Sequence, residues 1–415
     1  MLARNVGAVV AAIVILLLLS YFAISFNQAQ NTVKTTTLTP PQAYSPNRIV
    51  TQISQTILGS STSTVTTASN TGLTALHVVG NALVDGFGNE VILTGVAVAD
   101  QGMYATVRGS RPLSEADFKY LAQNWNAKLI RIPVSPDLWY GPKPWGDDNL
   151  TMLNQDVNWI NKYGMYAIID WHAGGNILRP NVTANTPSLP QTEAFWSTIS
   201  QNFVGKPGVL YEIYNEPSRI TWLQWQLNAQ QIVNTIRQYD PSTVILVSGI
   251  SGGSELSLVL DSPVTGQNIV YVVHPYPPEC GTFHQTTAGS SCWPTAFGNT
   301  ASVYPVFATE WGYYTIDQTS CASDISTWNW NGYNTQLVAY MQSLKMSWTA
   351  WVWYPTINGG CPGLLLTFTN YQPTQYGQFV QSTLTRNMHL SLLSFPNQPT
   401  LLVQTTTFTQ SKSLA

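Results

Sequence analysis

Two glutamates stand where their carboxylates could do chemistry. Glu216 ends the apolar run in VLYEIYNEP, and Glu310 ends the apolar run in VFATEWG. A buried strand that stops at a carboxylate fixes that group in place, and two carboxylates in unlike surroundings can divide proton transfer and nucleophilic attack between them. The alternative is two ordinary rim carboxylates paired with Lys or Arg, but the chain has only 17 basic residues. We therefore take Glu216 and Glu310 as the candidate catalytic pair.

The composition limits the kind of protein that can carry this pair. Hydrophobic residues make up 44% and aromatic residues 12% of the 415 positions, which is enough for a large core. Charged residues make up only 9%, against about 25% in an average soluble protein. The net charge of −3 and the lack of a basic run argue against a nucleic-acid partner. A neutral polar surface changes little with pH, so we hypothesise an acidic or otherwise harsh extracellular setting.

Short apolar runs alternate with helical stretches from Leu76 onward. The runs are continuously apolar rather than alternating, as parallel strands buried on both faces must be. The eight predicted strands are Val91–Val98, Leu129–Val134, Met165–Trp171, Val209–Asn215, Val244–Ser248, Ile269–His274, Val306–Trp311 and Trp348–Trp353. Eight such strands with helices between them predict an α/β fold, a (β/α)8 barrel over residues 76–387. The fifth and sixth predicted helices, in GGSELSLVL and PTAFGNT, are the weakest.

In a barrel of this kind the chemistry lies at the carboxyl ends of the strands. Nearly every predicted strand ends there on a polar or aromatic group, in LIRIPVS, IIDWH, EIYNEP, VVHPYP, FATEWG and WTAWVWYP. Strands four and seven face each other across the barrel mouth, which brings Glu216 and Glu310 together although 94 positions separate them. Hydrolysis of a glycosidic bond by double displacement needs two carboxyls about 5–5.5 Å apart, one protonated and one ionised.

These motifs resemble glycoside hydrolase family 5, in the clan of retaining (β/α)8 hydrolases. The resemblance rests on YNEP at strand four and ATEWG at strand seven and extends from about Leu76 to Asn387. It implies that Glu216 is the acid/base and Glu310 the nucleophile. The substrate-binding residues that it implies are Arg131, His172, Asn215, His274, Tyr276 and Trp351. We add Trp353, because a side chain two positions further along a strand is expected to point in the same direction as Trp351.

The resemblance assigns these residues different roles. Arg131 is expected beside Glu310, where a fixed cation would keep the nucleophile ionised, although an Arg can also serve a structural ion pair. Tyr276 is expected to hydrogen-bond Glu310. Asn215 is expected to bind the sugar 2-hydroxyl, its alternative being a strand-ending cap. The two histidines are expected to line the cleft.

Aromatic residues are predicted to bind the sugar rings. Trp351 matches the family's stacking platform by its W-x-x-W spacing, and Trp353, two positions further along strand eight, is expected to extend that platform. Further stacking positions in predicted loops are Trp139, Tyr140, Trp145 and Trp293. Asp170, by contrast, is expected to point away from the mouth and brace the barrel.

The resemblance implies a retaining endo-β-1,4-glucanase that acts on cellulose or a related β-glucan. An endo-β-mannanase, a mixed-linkage glucanase and an exo-acting β-glucosidase are alternatives within the enzyme class. A non-catalytic carbohydrate-binding surface protein and a structural cell-envelope component are the alternatives outside it. We expect no cofactor and a monomeric protein.

The N-terminal part of the chain predicts export. Residues 1–30 contain Val6–Phe26, a stretch of 21 residues without a charge, which suits a signal-anchor or a signal peptide. Residues 31–75 are rich in Thr and Ser and are predicted to form a stalk, and residues 388–415 form a C-terminal tail. The expected location is extracellular, either secreted or tethered to the membrane.

All four cysteines lie in the last third of the chain. An even number in an exported chain predicts two disulfides, with three possible connectivities. We favour Cys280–Cys292, which closes one loop, and Cys321–Cys361, which ties two loops together. The sequence has no Cys-x-x-Cys motif and no His cluster, so we predict no metal site.

Overall fold

Eight parallel strands close into a barrel in the computed structural model, which describes residues 72–106, 111–141, 149–277, 292–318, 321 and 332–385. The strands are β1 (Thr94–Val98), β2 (Leu129–Val134), β3 (Tyr166–Trp171), β4 (Val209–Glu212), β5 (Ile245–Ser248), β6 (Ile269–Val273), β7 (Val306–Ala308) and β8 (Ser347–Trp353). Each strand pairs with the next in chain order, and β8 pairs with β1. The predicted (β/α)8 barrel is confirmed, with strand bounds within three residues of the predicted ones.

Side chains along each strand alternate between two environments. In β2, Ile130 and Ile132 join the large apolar cluster shared with helix residues such as Phe118, whereas Leu129 joins a smaller cluster. That smaller cluster includes Leu129, Ile168, Leu210, Val272 and Phe307. Because strand side chains alternate, these residues face the barrel interior, and so do the residues two positions further along. The next interior layer therefore consists of Arg131, Asp170, Glu212, His274 and Thr309.

Helices cover the outside of the strands. Those in the described ranges are α1 (Gln101–Thr106), α2 (Glu115–Asn124), α3 (Pro136–Tyr140), α4 (Asn149–Lys162), α5 (Leu189–Phe203), α6 (Trp222–Arg237), α7 (Asn299–Ala301), α8 (Tyr333–Ser343) and α9 (Gln375–Thr385). Capping boxes begin three of them: Ser114 with Asp117 at α2, Ser188 with Gln191 at α5, and Thr221 with Gln224 at α6. These side chains satisfy backbone N–H groups that a helix start leaves without partners.

The two weakest predicted helices differ from the rest. The segment GGSELSLVL after β5 forms turns and a bridge between Ile250 and Glu255 instead of an α-helix. Gly252 and Gly253 have φ values of 74° and 78°, a left-handed conformation that a helix cannot contain. After β6, the segment Pro294–Gly298 is a π-helix that runs directly into α7.

Small paired segments complete the described structure. An N-terminal hairpin pairs His77–Val79 with Ala82–Val84. The ladder of β4 stops at Glu212, before the predicted end, and Glu216–Pro217 pairs instead with Gly174–Gly175. The other short elements are the pair Leu365–Thr367 with Gln372–Pro373 and the 3₁₀ helices Val182–Ala184, Thr356–Asn358 and Thr369–Tyr371.

The predicted N-terminal anchor, the stalk up to residue 71 and the tail from residue 388 lie outside the described residues. The described residues belong to one unit, Thr66–Ala415. None of the helices in this described part combines the length and apolar character needed to cross a membrane.

Candidate active site

The interior layer at the carboxyl ends of the strands is built around Arg131, which is fully buried. Its Nε and Nη2 donate to Glu212 at 2.8 and 2.9 Å, and its Nη1 donates to Glu310 at 2.7 Å. Nη2 also donates to the Asn215 amide oxygen at 2.6 Å and lies 2.9 Å from an Asp170 oxygen. A planar guanidinium with several fixed N–H donors suits such a set of acceptors. One cation therefore holds three carboxylates and one amide in place.

Glu310 follows β7 and is the more enclosed member of the candidate pair, with 5% of its side chain exposed. Its Oε1 accepts from Arg131, and its Oε2 accepts from the Tyr276 hydroxyl at 3.0 Å. Burial alone would raise the pKa of Glu310, but the charges of His274 and Arg131 hold it below its ordinary value. The carboxylate is therefore ionised and held at both oxygens, as a nucleophile must be.

Glu216 is the more open member, with 37% of its side chain exposed. Its backbone is held against the segment after β3, where its N–H donates to the Ala173 carbonyl at 2.9 Å. One oxygen of Glu216, one oxygen of Glu310 and a ring nitrogen of His274 all lie within 4.8 Å of one another. This carboxylate separation suits double displacement, which needs about 5–5.5 Å, and is too short for the roughly 6.5–9.5 Å of an inverting pair.

His274 connects the two glutamates. Its Nδ1 lies 3.0 Å from Glu216 Oε1, and its Nε2 lies 3.0 Å from the Thr309 hydroxyl. Burial alone would lower the pKa of His274, but three surrounding carboxylates, led by Glu310, raise it to about 10. Glu216, His274 and Glu310 have the spacing of a metal site, but the raised pKa of His274 favours a proton over a metal ion on its ring. The cluster is therefore suited to proton chemistry.

Trp351 and His172 lie together beside the interior layer. The Trp351 and His172 rings are stacked, with centroids 5.3 Å apart and planes 4° apart. The Arg131 guanidinium carbon lies 5.9 Å from the centroid of the Trp351 ring. Burial alone would lower the pKa of His172, but Asp170, whose carboxylate lies 2.7 Å from Nδ1, raises it. Trp351 is only partly buried, so it presents an aromatic surface next to the carboxylate pair.

The prediction that Trp353 extends this platform is wrong, because Trp353 is fully buried in the core. Ala350 pairs with Val96, and Trp353 pairs with Val98, so three steps along β8 oppose two steps along β1. Such a bulge reverses the alternation of side chains along a strand. Trp353 therefore does not share the direction of Trp351, although the two residues are two positions apart.

The prediction that Asp170 points away from the mouth is also wrong. Asp170 is fully buried in the interior layer and contacts both Arg131 and His172. Ile168, two positions earlier in β3, faces the interior, so strand alternation sends Asp170 in the same direction. Burial raises the pKa of Asp170 to about 6 against the opposing charge of Arg131. Asp170 therefore helps to position Arg131 and His172 through these two contacts.

The four loop aromatic residues that were predicted to stack sugars differ in their exposure. Trp293 is buried and therefore cannot stack a sugar, which corrects its prediction. Trp139 packs edge-on against Phe195, with centroids 4.9 Å apart. Tyr140 is 41% exposed, and Trp145 lies outside the described residues. Tyr140 thus keeps an accessible aromatic face.

Two residues of the interior layer, Glu212 and Thr309, were not among the predicted site residues. Glu212 is fully buried, binds Arg131 through both oxygens and accepts from the Thr309 hydroxyl at 3.0 Å. Burial alone would raise the pKa of Glu212, but Arg131 lowers it to about 2. The sequence signal was a carboxylate inside a buried strand, in alternation with Leu210.

The predicted Cys321–Cys361 disulfide is confirmed. It joins the segment after β7 to the segment after β8, close to the end of β8, where the Val352 N–H donates to the Pro362 carbonyl at 3.0 Å. Cys280 lies outside the described residues, so the Cys280–Cys292 pairing stays a prediction.

Comparison with known proteins places the barrel in a family. A family model described as cellulase, glycosyl hydrolase family 5, matches residues 84–356. Endoglucanase E-5 of Thermobifida fusca is 28% identical over 284 residues, which cover 66% of this chain and 55% of that protein. Endoglucanase MaCel5A of Microbulbifer sp. (strain ALW1) is 28% identical over 285 residues, which cover 66% of this chain and 50% of that protein. The chain thus spans about half the length of these relatives.

Solved structures share the same barrel. The native β-glucanase SdGluc5_26A of Saccharophagus degradans aligns with a TM-score of 0.68 at 27% identity, covering 75% of this chain and 93% of that chain. The same β-glucanase in complex with cellotetraose aligns with a TM-score of 0.67, also at 27% identity. The family model spans more than half of the sequence and confirms the resemblance found in its motifs. The chain belongs to glycosyl hydrolase family 5, the cellulase family.

Proposed function

We propose that the protein is a retaining endo-β-1,4-glucanase that hydrolyses internal bonds of cellulose or a related β-glucan. The observation that carries this proposal is the carboxylate pair Glu216 and Glu310, whose closest oxygens lie within 4.8 Å. The endoglucanase relatives and the β-glucanase solved with cellotetraose support a β-glucan as the substrate class.

In the first step, a Glu310 oxygen attacks the anomeric carbon and forms a glycosyl ester. The bond between that carbon and the leaving oxygen breaks, and Glu216 gives its proton to the leaving oxygen. Arg131 and Tyr276 hold the attacking carboxylate in position through hydrogen bonds of 2.7 and 3.0 Å. Glu310 enters the reaction ionised because the neighbouring cations keep its pKa low.

In the second step, water replaces the leaving sugar on the open side of Glu216. Glu216 takes a proton from this water, the water oxygen bonds to the anomeric carbon, and the ester bond to Glu310 breaks. The 37% exposure of the Glu216 side chain gives the leaving sugar, and then water, a route to the carboxyl group. Two inversions at one carbon give a product with the original β configuration.

Asn215 and Trp351 bind the sugar ring that is attacked. The Asn215 amide oxygen accepts from Arg131 at 2.6 Å, so its NH₂ group is left to donate to the 2-hydroxyl beside the reacting carbon. The indole face of Trp351 packs against the apolar C–H face of a β-glucosyl ring. The stacked His172 ring holds this indole in place.

The test compares the full-length protein with three single variants on carboxymethyl cellulose, mixed-linkage glucan, mannan and xylan. Glu310→Gln should abolish turnover, and Glu216→Gln should lower kcat on the glucans by about 10²- to 10⁴-fold, the usual contribution of a general acid. Glu90→Gln is the matched control, because Glu90 pairs with Lys345 on the surface. The anomeric ¹H NMR signal of the first product should be that of the β form.

The outcomes separate the alternatives. Full activity in either Gln variant, or an α product, contradicts the proposed mechanism. Activity on mannan alone assigns a mannanase, and activity on mixed-linkage glucan alone assigns that specificity. Binding to glucan without any turnover assigns a non-catalytic carbohydrate-binding protein.

We further propose that the protein is extracellular and monomeric, secreted or tethered through residues 1–30. The support for the extracellular location is the uncharged stretch Val6–Phe26 and the Cys321–Cys361 disulfide, a bond that persists in oxidising compartments. Cell fractionation and analytical ultracentrifugation test these two points, and a cytosolic or dimeric protein contradicts them.

A further inference from the structure

We propose that Glu212, acting through the Thr309 hydroxyl, fixes His274 with a proton on Nε2, so that Nδ1 is the nitrogen that shares a proton with Glu216. Glu212 and Thr309 are then positioning residues for acid/base chemistry, beneath the carboxylate pair and out of contact with the sugar. This inference rests on the proposed function, in which Glu216 is the acid/base.

The direction of the hydrogen bonds that link Glu212, Thr309 and His274 follows from the contact between Glu212 and Arg131. Arg131 donates to both oxygens of Glu212, at 2.8 and 2.9 Å, so Glu212 is an ionised carboxylate that only accepts. The Thr309 hydroxyl lies 3.0 Å from Glu212 Oε1 and has a single proton, which it must donate there. The Thr309 oxygen is then the acceptor for His274 Nε2, also 3.0 Å away. Nε2 therefore carries a proton.

The ring of His274 is held in this orientation from several sides. It is fully buried, and its backbone N–H donates to the Gly253 carbonyl at 2.9 Å. A Cβ atom at Gly253 would lie 2.9 Å from the ring atoms Cγ and Nδ1, so only glycine lets the loop after β5 pack this closely. The ring therefore cannot turn over without displacing this loop.

Among the residues that the structure describes, three carboxylates surround the ring: Glu212 on β4, Glu216 after β4 and Glu310 after β7. Arg131 on β2 and Tyr276 after β6 are both bound to Glu310. Nδ1 lies 3.0 Å from Glu216 Oε1 but 4.0 Å from the nearest Glu310 oxygen. Glu216 is therefore the hydrogen-bond partner of Nδ1, and the proposal is that the two groups share one proton.

This arrangement matters because the pair holds one proton in either of two places. With the proton on Glu216, Nδ1 accepts a hydrogen bond; with the proton on Nδ1, the ring is a cation and Glu216 is ionised. The first step takes this proton to the leaving oxygen, and the second step returns one from water. A neutral ring with its proton on Nδ1 instead of Nε2 would offer Glu216 a donor and no acceptor. That tautomer would keep Glu216 ionised and prevent it from acting as an acid.

The test removes the Thr309 hydroxyl at nearly constant shape with Thr309→Val and keeps it with Thr309→Ser. Thr300→Val is the matched control, because the Thr300 hydroxyl is buried and donates to the Leu256 carbonyl, outside this network. The first measurement is the ¹⁵N chemical shift of both ring nitrogens of His274 against pH, assigned among the five histidines by His274→Gln. The second is the pH profile of kcat/KM on carboxymethyl cellulose.

In the wild type, in Thr309→Ser and in Thr300→Val, Nε2 should stay protonated across the titration. In Thr309→Val the neutral ring should place part of its proton on Nδ1. The alkaline limb of kcat/KM should move down by about one pH unit, because a charge-assisted hydrogen bond is roughly twice as strong as a neutral one and favours the cationic ring. Thr309→Ala gives the same readout if the Val variant does not fold.

An unchanged Nε2 proton and an unmoved alkaline limb in Thr309→Val would overturn the inference. A shift of equal size in Thr300→Val would also overturn it, because the effect would then be one of general packing. The NMR measurement needs no substrate, so it can support the inference even where turnover is absent. Loss of turnover in Glu216→Gln with no response in Thr309→Val rejects the inference and leaves the proposed function standing.

Discussion

Replacing Arg131 with methionine tests whether one buried cation holds the site together. The change keeps a long side chain but removes the charge and all the N–H donors that bind Glu212, Glu310, Asp170 and Asn215 at 2.6–2.9 Å. The three carboxylates would then be buried without their shared partner. Charges left unpaired in a protein interior are strongly destabilising.

The size of the effect can be worked out from Glu212. Its pKa falls from an ordinary 4.5 to about 2, and at about 1.36 kcal/mol per pKa unit this corresponds to about 3 kcal/mol of stability. Because the pKa is lower in the folded state, this contribution is complete above pH 4.5 and is lost as the pH falls towards 2. Breaking a buried ion pair costs about 3–5 kcal/mol, which agrees with this figure.

We therefore expect Arg131→Met to lower the free energy of unfolding by about 3–5 kcal/mol at pH 7, measured by urea denaturation. The difference from the wild type should narrow at pH 3, where the wild type has begun to lose the same contribution. The acid limb of kcat/KM should move to higher pH, because Arg131 no longer lowers the pKa of Glu310.

Two further variants act as controls. Arg131→Lys keeps the charge but loses the planar guanidinium with its several N–H donors. Its free energy of unfolding should therefore lie between those of the wild type and the Met variant. Arg179→Met removes an exposed arginine and should change stability by less than about 0.5 kcal/mol. An Arg131→Met protein as stable as the wild type at pH 7, with an unmoved acid limb, would refute the reasoning.

Two other predictions concern the strand-eight tryptophans and the disulfide. Trp351→Ala should raise KM more than it lowers kcat. Trp353→Ala should leave KM unchanged and lower the free energy of unfolding by about 3–5 kcal/mol, because Trp353 lies in the core. Steady-state kinetics and urea denaturation check both variants, and the reverse pattern contradicts the assignment. Replacing Cys321 and Cys361 with serine should lower the free energy of unfolding by about 2–4 kcal/mol, because the bond closes a loop of sequence separation 40. Thermal unfolding with and without reductant measures this loss. If the reductant cleaves the bond and the thermal stability of the wild type does not change, the prediction is contradicted.

The barrel and its carboxylate pair were predictable because they depend on local patterns. Continuous apolar runs such as Leu129–Val134 mark parallel strands, and the alternation of helices and strands selects the barrel. In a parallel barrel all strands end at one rim, so Glu216 and Glu310 meet there whatever the loops do. Strand alternation also sends Arg131 into the interior, where it can reach Glu310.

The remaining features depended on contacts between distant parts of the chain. Trp353 turns into the core because β8 gains one residue against β1, and no property of WTAWVWYP shows where that bulge lies. Strand alternation turns Asp170 inward, but its contact with Arg131 depends on the pairing of β2 with β3. Similarly, the segment after β5 leaves the helical conformation at Gly252 and Gly253, and Gly253 packs against the ring of His274.

Sequence alone thus determined which elements form and which rim carries the chemistry, since hydrophobic periodicity and strand direction are local properties of the chain. Tertiary structure decided which groups share protons and charge. Glu212 and Thr309 became part of the site only where β4, β6 and β7 bring them within 3.0 Å of their partners. Hydrogen bonds and ion pairs act over such short distances that only the folded arrangement of strands can select them.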